Sequence, residues 1–464
     1  MLEQTIFRKN KINLKDYDFE KDLENRNFLS SLTPLEIKVL EELLFSSSTT
    51  SFTRFSKDVD LSIKDLKEIL LKFTQCSLVQ IDGEIIHIDK RVRKYFEFEF
   101  LRFDESFKPD IVFINQLLQK IPIHLLPVWY SITKTSNNIF MSIVEKYLST
   151  PQIFKRHINE VENESSNLGH ILNLLYSSKE LEISTSSLQT NLNLSRNELL
   201  ENLIYLEFNL LAFICYKKTK DVFIEVLVPL HEYKEFLTYL ESAKIKSIEE
   251  TKNLIKKRYE DYGFIQDLSR ALLLFKKKLP IEKIKETLKI EISLSDTTIH
   301  VSDSYINNIL DKLYQIKFLE ENNLTNSALE WLSFEDQNKA LHLFYHPLNS
   351  LLYVDDSISH LINEKAVKEA EKSILRVLDS GWVYFDDFIK GAFCSLYESQ
   401  QIKIVPFGKG YKYNIPSFKS EEIKFIKKII FERLFETAIV SIGSINAKDC
   451  FSTTNLGKTL FDQT

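Results

Sequence analysis

Four thirteen-residue stretches, far apart along this chain, can be laid over one another, and they limit its possible folds more than anything else in it. They are ILLKFTQCSLVQI (69–81), NLIYLEFNLLAFI (202–214), ILDKLYQIKFLEE (309–321) and IFERLFETAIVSI (430–442). The letters differ, yet the second, fifth, tenth and eleventh places are apolar in every copy. They are Leu70, Phe73, Leu78 and Val79, then Leu203, Leu206, Leu211 and Ala212. The third copy has Leu310, Leu313, Phe318 and Leu319, and the fourth Phe431, Leu434, Ile439 and Val440. The first two places share a helical face, and the last two open an extended segment. Each copy therefore predicts the end of a helix running into a strand.

The flanks complete a unit. Before the first copy, TPLEIKVLEELLF offers Thr33 as N-cap and Pro34 at the first helical position. FTRFSKDVD follows, then a third helix from Ser62, and after it LVQIDGEIIHID alternates around Asp82-Gly83, a tight-hairpin dipeptide. Three helices and a two-stranded hairpin describe a winged helix. The second copy repeats the order, with Lys217, Lys218, Thr219 and Lys220 at its hairpin tip. The third has a reduced wing. The fourth carries an extra hairpin-like insertion, IKIVPFGKGYKYNI, that includes Lys409.

The expected fold is thus mainly α with small β-hairpins, about four tandem winged-helix modules plus a helical connector. The expected boundaries are an N-terminal arm (1–32), module one (33–100), the connector (101–165), module two (166–250), module three (251–350) and module four (351–464). Pro109, Pro122, Pro127 and Pro151 punctuate the connector. NEVENESSN (159–167) reads as a linker on composition. DYDFEKD (16–22) reads as a docking arm.

FSTTNLGKTL (451–460) ends in the letters of a phosphate-binding loop, but Ser452 stands where that loop needs its first glycine. Thr-x-x-Gly after a wing caps the turn instead: the hydroxyl satisfies backbone N–H groups and glycine permits close approach. Only nine glycines occur in 464 residues, and none forms G-x-G-x-x-G, so nucleotide folds built on glycine turns are poorly supported. The net charge of −6 predicts no bulk attraction to nucleic acid or anionic membrane. Cys76, Cys215, Cys394 and Cys450 lack zinc-ligand spacing and suit a reducing compartment. No signal peptide and no apolar run of the ~20 residues needed to span a bilayer are expected, which points to the cytoplasm and no membrane.

LTNSALEWLSFEDQNKALHLFY resembles the Thr-x-x-Gly/Ala-x-x-Trp-Leu signature of a bacterial helicase-associated family similar to the N-terminal region of XPB-type repair helicases. SGWVYFDDFIKGAF, with LFETAIVSIG and FSTTNLGKTLF downstream, is similar: a Trp opening the second helix, a wing, and a Thr-x-x-Gly ending. The resemblance covers the C-terminal half. It implies an accessory role in DNA repair or transcription, without a motor, since neither a Walker A loop nor a DEAD-like box occurs.

The candidate nucleic-acid contacts follow from this. Lys217, Lys218 and Lys220 at the second wing tip, and Lys409 in the insertion, could meet phosphates. On the third helices, which would enter the major groove, the first copy is mixed (Lys64, Asp65, Lys67, Glu68, Lys72) and the second acidic (Arg196, Asn197, Glu198, Glu201). The third is also acid-rich (Asp303, Asn307, Asn308, Asp311, Lys312). The fourth is the most basic, with Lys424, Lys427, Lys428 and Arg433 set against Glu421, Glu422 and Glu432. RVRKYF (91–96) and IKKRYEDY (255–262) place cations beside aromatics, but following acids such as Glu97, Glu99 and Asp261 favour solvated helix faces. His342 and His346 lie one turn apart without the further ligand a metal site needs. The expected function is a non-enzymatic nucleic-acid-associated factor with no cofactor, binding DNA through local basic patches and also a protein partner. Its rival is a protein-interaction scaffold that binds no DNA.

Overall fold

A computed structural model of the protein describes residues 12–133, 138–220, 222–295 and 301–462. It is mainly helical, with small antiparallel sheets. Each thirteen-residue stretch does join a helix to a strand. Ile63–Gln75 leads to Val79–Asp82, Arg196–Phe208 to Ala212–Lys218, and Asp303–Gln315 to Leu319–Glu320. In the fourth, Ser420–Lys428 continues through a π-helical turn, Ile429–Leu434, before Val440–Ile445.

The reason for the shared pattern lies at its ninth place. Ser77, Leu210, Lys317 and Ala438 all have positive φ, at 61°, 64°, 56° and 58°. The N–H of the tenth place donates to the carbonyl of the fifth in every copy: Leu78 to Phe73 (3.2 Å), Leu211 to Leu206 (3.1 Å), Phe318 to Leu313 (2.9 Å) and Ile439 to Leu434 (2.9 Å). The ninth N–H donates to the sixth carbonyl, at 2.9–3.1 Å. These paired bonds are a Schellman helix stop, and the buried fifth and tenth side chains supply its hydrophobic contact. The periodicity is the trace of one helix-ending device used four times, without glycine at the left-handed position.

Contacts divide the chain into two units. The first holds the residues up to Thr238 together with Lys403–Tyr413; the second holds Tyr239–Ile402 and the residues from Asn414 onward.

In the first unit the order helix, strand, helix, helix, hairpin occurs twice. Pro34–Phe45 starts at a capping box between Thr33 and Glu36, and Thr49–Ser51, Phe52–Val59, Ile63–Gln75 and the hairpin Val79–Asp82/Ile85–Ile88 follow. Thr49–Ser51 pairs antiparallel with Ile85–Ile88. Ser166–Ser177, Ile183–Ser184, Thr185–Leu192, Arg196–Phe208 and the longer hairpin Ala212–Lys218/Phe223–Pro229 repeat the arrangement, with Ile183–Ser184 again on the outside of the last strand. Among the described residues five α-helices lie between them: Lys90–Phe100, Ile111–Leu118, Leu126–Trp129, Ile139–Tyr147 and Pro151–Glu162. Trp129 and Tyr130 are fully buried there. The inserted hairpin Ile404–Phe407/Gly410–Tyr413 belongs to this unit: the Ile404 N–H donates to Ser149 (2.8 Å) and the Tyr413 hydroxyl to Leu148 (2.9 Å).

Two expectations fail here. Residues 159–167 are not a linker, because Pro151–Glu162 and Ser166–Ser177 meet across a tight turn. Gly169 permits it; a Cβ there would lie 2.8 Å from the Glu162 carbonyl oxygen. DYDFEKD is not a docking arm, since Phe19–Ser30 is a helix that buries Phe19, Asp22, Arg26 and Leu29 at helical spacing.

In the second unit Gly263–Lys276, Ile281–Ser295 and Asp303–Gln315 precede a minimal hairpin, Leu319–Glu320/Asn323–Leu324. Glu364–Lys372, Val383–Tyr384, Phe385–Gly391, the 420–434 helical segment and the hairpin Val440–Ile445/Lys448–Thr453 restore the full order. Val383–Tyr384 pairs with Lys448–Thr453, and Leu254–Lys256 adds a further strand beside Val440–Ile445. Trp382 precedes the strand Val383–Tyr384 rather than opening a helix. Both Thr caps form. The Gly457 N–H donates to Thr454 Oγ1 (3.1 Å), whose hydroxyl donates to the ninth-place carbonyl of Ala438 (2.6 Å). Ala328 and Thr325 do the same with Lys317 (3.4 and 3.0 Å). A Cβ at Gly457 would fall 2.3 Å from the Ile439 carbonyl oxygen, so glycine is required there. No helix among the described residues is long and apolar enough to cross a membrane.

Candidate nucleic-acid interface

The basic residues expected to meet phosphates are mostly engaged within their own units. Lys217, on the exposed end of Ala212–Lys218, lies 2.5 Å from Glu182. On the fourth third-helix, Lys424 pairs with Asp355, Lys427 with Asp449 (2.5 Å) and Lys428 with Glu432 (3.2 Å). Arg433 departs furthest from the expectation. Its side chain is 15% exposed and held by Glu371 (2.5 Å) and the carbonyls of Asn349 and Phe344, so it braces the interior. Lys218, Lys220 and Lys409 are exposed, and no ion pair involves them among the described residues.

The other third helices offer little to a duplex. Arg196 makes a forked pair with Glu225 (2.5 and 2.9 Å), and Lys72 pairs with Glu36. Asn197, Glu198 and Glu201 remain on the second helix's exposed face, and Asp303, Asn307 and Asp311 on the third's. Lys312, expected on that face, is fully buried and lies 2.8 Å from Glu436.

The stretches read as solvated faces are partly interior. On Lys90–Phe100 the Tyr95 hydroxyl donates to Asp22 (2.7 Å), and Glu99 is 1% exposed. Glu99 joins a buried cluster in which Arg26, Arg102 and Lys120 face Asp22, Glu99 and Glu207. Arg102 reaches both oxygens of Glu207 (2.5 and 3.0 Å), Arg26 reaches Glu207 (2.8 Å) and Asp22 (3.2 Å), and Lys120 reaches Asp22 (2.9 Å) and Glu99 (2.5 Å). Burial alone would raise the Glu99 and Asp22 carboxyls. The neighbouring cations outweigh it, holding Glu99 at about 2 and Asp22 well below its ordinary range. In IKKRYEDY, Leu254–Lys256 is a strand, and Arg258 is buried 3.1 Å from Asp267.

That strand positions Lys257, which the sequence reading placed on a solvated helix face. The Lys257 N–H donates to Ile442 (2.9 Å), fixing the backbone beside the sheet. Its ammonium turns inward over the rings of Tyr305 and Phe435, 5.6 and 5.2 Å from their centroids. It enters a cleft of about 290 Å³ that also receives Lys424, Lys427 and Lys428 and runs along the π-helical turn. Burial pushes the Lys257 ammonium below its usual range, partly offset by Glu436 and Glu432. Burial raises Glu436 to about 7 despite Lys312. A period-two alternation in residues 254–257 is too short to reveal any of this.

The rings of His342 and His346 lie 5.7 Å apart beside Phe318, and no group of three or more potential metal ligands occurs among the described residues. Burial pushes the Cys215 and Cys450 thiols up to about 11 and Cys394 higher still, which removes thiolate character at neutral pH. No protein-family model, curated protein or solved structure matches the chain.

Proposed function

We propose that the chain is a non-enzymatic interaction protein of four winged-helix modules, the third with a reduced wing, whose partner is protein rather than duplex DNA. The module reading is supported by the strand order: in three of the four repeats the short first strand pairs with the last strand of the hairpin. The partner reading rests on one observation, the engagement of Lys217, Lys424, Lys427, Lys428 and Arg433 by carboxylates of their own units. A cation already matched to a carboxylate gains little by exchanging it for a phosphate, and binding strength grows with the number of phosphates neutralised.

The second reading is a nucleic-acid-associated accessory factor related to the helicase-associated family. Lys218 and Lys220, exposed at a hairpin tip, favour it, as do the matched caps at Thr325 and Thr454. Titration of the full chain with labelled duplex and single-stranded DNA across a salt series separates the two. The protein-docking reading expects no binding that steepens as salt is lowered. Each phosphate contact would contribute about −0.9 to the slope of log affinity against log salt on a duplex. A slope of several units would favour the second reading.

A further inference from the structure

We infer that the cleft beside the π-helical turn in the second unit is a binding site for a small monocarboxylic acid with an apolar, aromatic-sized body. The cleft's cations count almost evenly against their partners. Of the four lysines that line it, Lys424, Lys427 and Lys428 are paired with Asp355, Asp449 and Glu432, and the lining Glu436 is paired with the buried Lys312. Lys257 is the fourth, and among the described residues no ion pair involves it; Glu436 and Glu432, which attract it from farther off, are paired with Lys312 and Lys428. One lining lysine thus lacks an ion-pair partner, which suits the single charge of a carboxylate better than a dianionic phosphate.

The walls select what carries that carboxylate. Phe264, Tyr305, Phe431 and Phe435 line the cleft, and Lys257 already lies over two of their rings. A ring between them would stack or meet edges while its carboxylate accepts a charge-assisted bond from the Lys257 ammonium. The volume of about 290 Å³ is near the lower end for ligand pockets, sized for a compact acid rather than an extended one. The π-helical turn is a second, independent mark. Such turns interrupt a helix at a cost in regular bonding and recur at functional sites. The inference does not depend on whether the chain docks protein.

Saturation-transfer NMR and calorimetry on the full chain test it, with phenylacetate as probe and phenylacetamide and inorganic phosphate as comparisons. Phenylacetate should bind saturably, and at least about tenfold more tightly than the uncharged amide or phosphate, the range of a hydrogen bond to a charged group. Lys257→Met should weaken phenylacetate by a similar factor, and Lys257→Arg should restore much of it. Lys257 is an exposed residue and its backbone bond to Ile442 is unchanged by either substitution, so both variants should fold. Lys218→Met in the first unit should change nothing. Equal binding of the amide, tighter binding of phosphate, no saturable binding of phenylacetate, or indifference to Lys257→Met would each overturn the assignment.

Discussion

In the first unit, three carboxylates and three cations meet in a buried cluster in which every member has at least one partner of opposite charge: Asp22, Glu99 and Glu207 against Arg26, Arg102 and Lys120. In the second, three lysines paired with carboxylates line a cleft, Lys424, Lys427 and Lys428, and a fourth, Lys257, faces it with no ion pair among the described residues. The balanced cluster ties the helix Phe19–Ser30 to Lys90–Phe100 and Arg196–Phe208, and Glu207 also accepts from the Ile214 N–H (2.9 Å). It acts as framework. The unbalanced set borders open space and has an unfilled valence. Charge count around a cavity, rather than charge at a surface, separates the two.

The largest effect that could break this comparison is loss of Glu207. Glu207→Ala removes the carboxylate that Arg26 and Arg102 share, leaving Arg26 to Asp22 and Arg102 to Glu99, and breaking such a buried set costs about 3–5 kcal/mol. Lys312→Met should cost less, about 1–3 kcal/mol, because Glu436 can take up a proton near neutral pH. Urea titration with hydrogen exchange read on residues 199–214 and 428–440 gives both values. Equal losses would remove the distinction between framework and cleft.

The two clusters should also respond to pH with opposite signs. Glu99 has a folded value of about 2 against an ordinary 4.5, so its contribution is present above 4.5 and lost as pH falls toward 2. Glu436 has a folded value of about 7, so between 4.5 and 7 the folded state holds more protons than the unfolded one. Its contribution is full below 4.5 and is lost as pH rises through 7. Exchange protection near Glu436 should thus fall between pH 5 and 7 while protection near Glu99 holds, and Glu436→Gln should flatten the first trend.

The smallest effect concerns the device both units share. Lys317 is exposed and sits at φ 56°, where a side chain is strained and glycine is not. Lys317→Gly should stabilise by about 0.5–1 kcal/mol after allowing for the freer unfolded chain. A loss of stability, by thermal denaturation, would mean that the helix stop is held by something other than its backbone bonds.

Much of the framework was legible from sequence because it is local. Places five and ten of each copy are apolar since a Schellman stop brings those two side chains together, and Thr454 and Gly457 act within three residues of one another. The buried charges were not legible, because Glu207 meets Arg26 and Arg102 from 181 and 105 residues away. In sequence, Glu99 and Asp22 look like members of solvated runs; only the helices that carry them turn these groups inward. For the same reason Lys424, Lys427 and Lys428 read as a basic patch, although Asp355 and Asp449, distant in sequence, neutralise two of them. Lys257 lay in a stretch read as a solvated helix face, because a three-residue strand shows no recognisable alternation.

The central claim is that these lysines are withheld from nucleic acid by their own carboxylates, and the direct measurement is to remove the carboxylates. DNA affinity across the salt series should be compared for the unaltered chain and for one carrying Glu182→Gln, Asp355→Asn and Asp449→Asn. The expected result is weak, salt-insensitive binding for the first and a newly salt-dependent affinity for the second, with a slope of up to about −2.7 if all three freed lysines meet phosphates. Strong salt-dependent binding by the unaltered chain, left unchanged by the three substitutions, would contradict the claim.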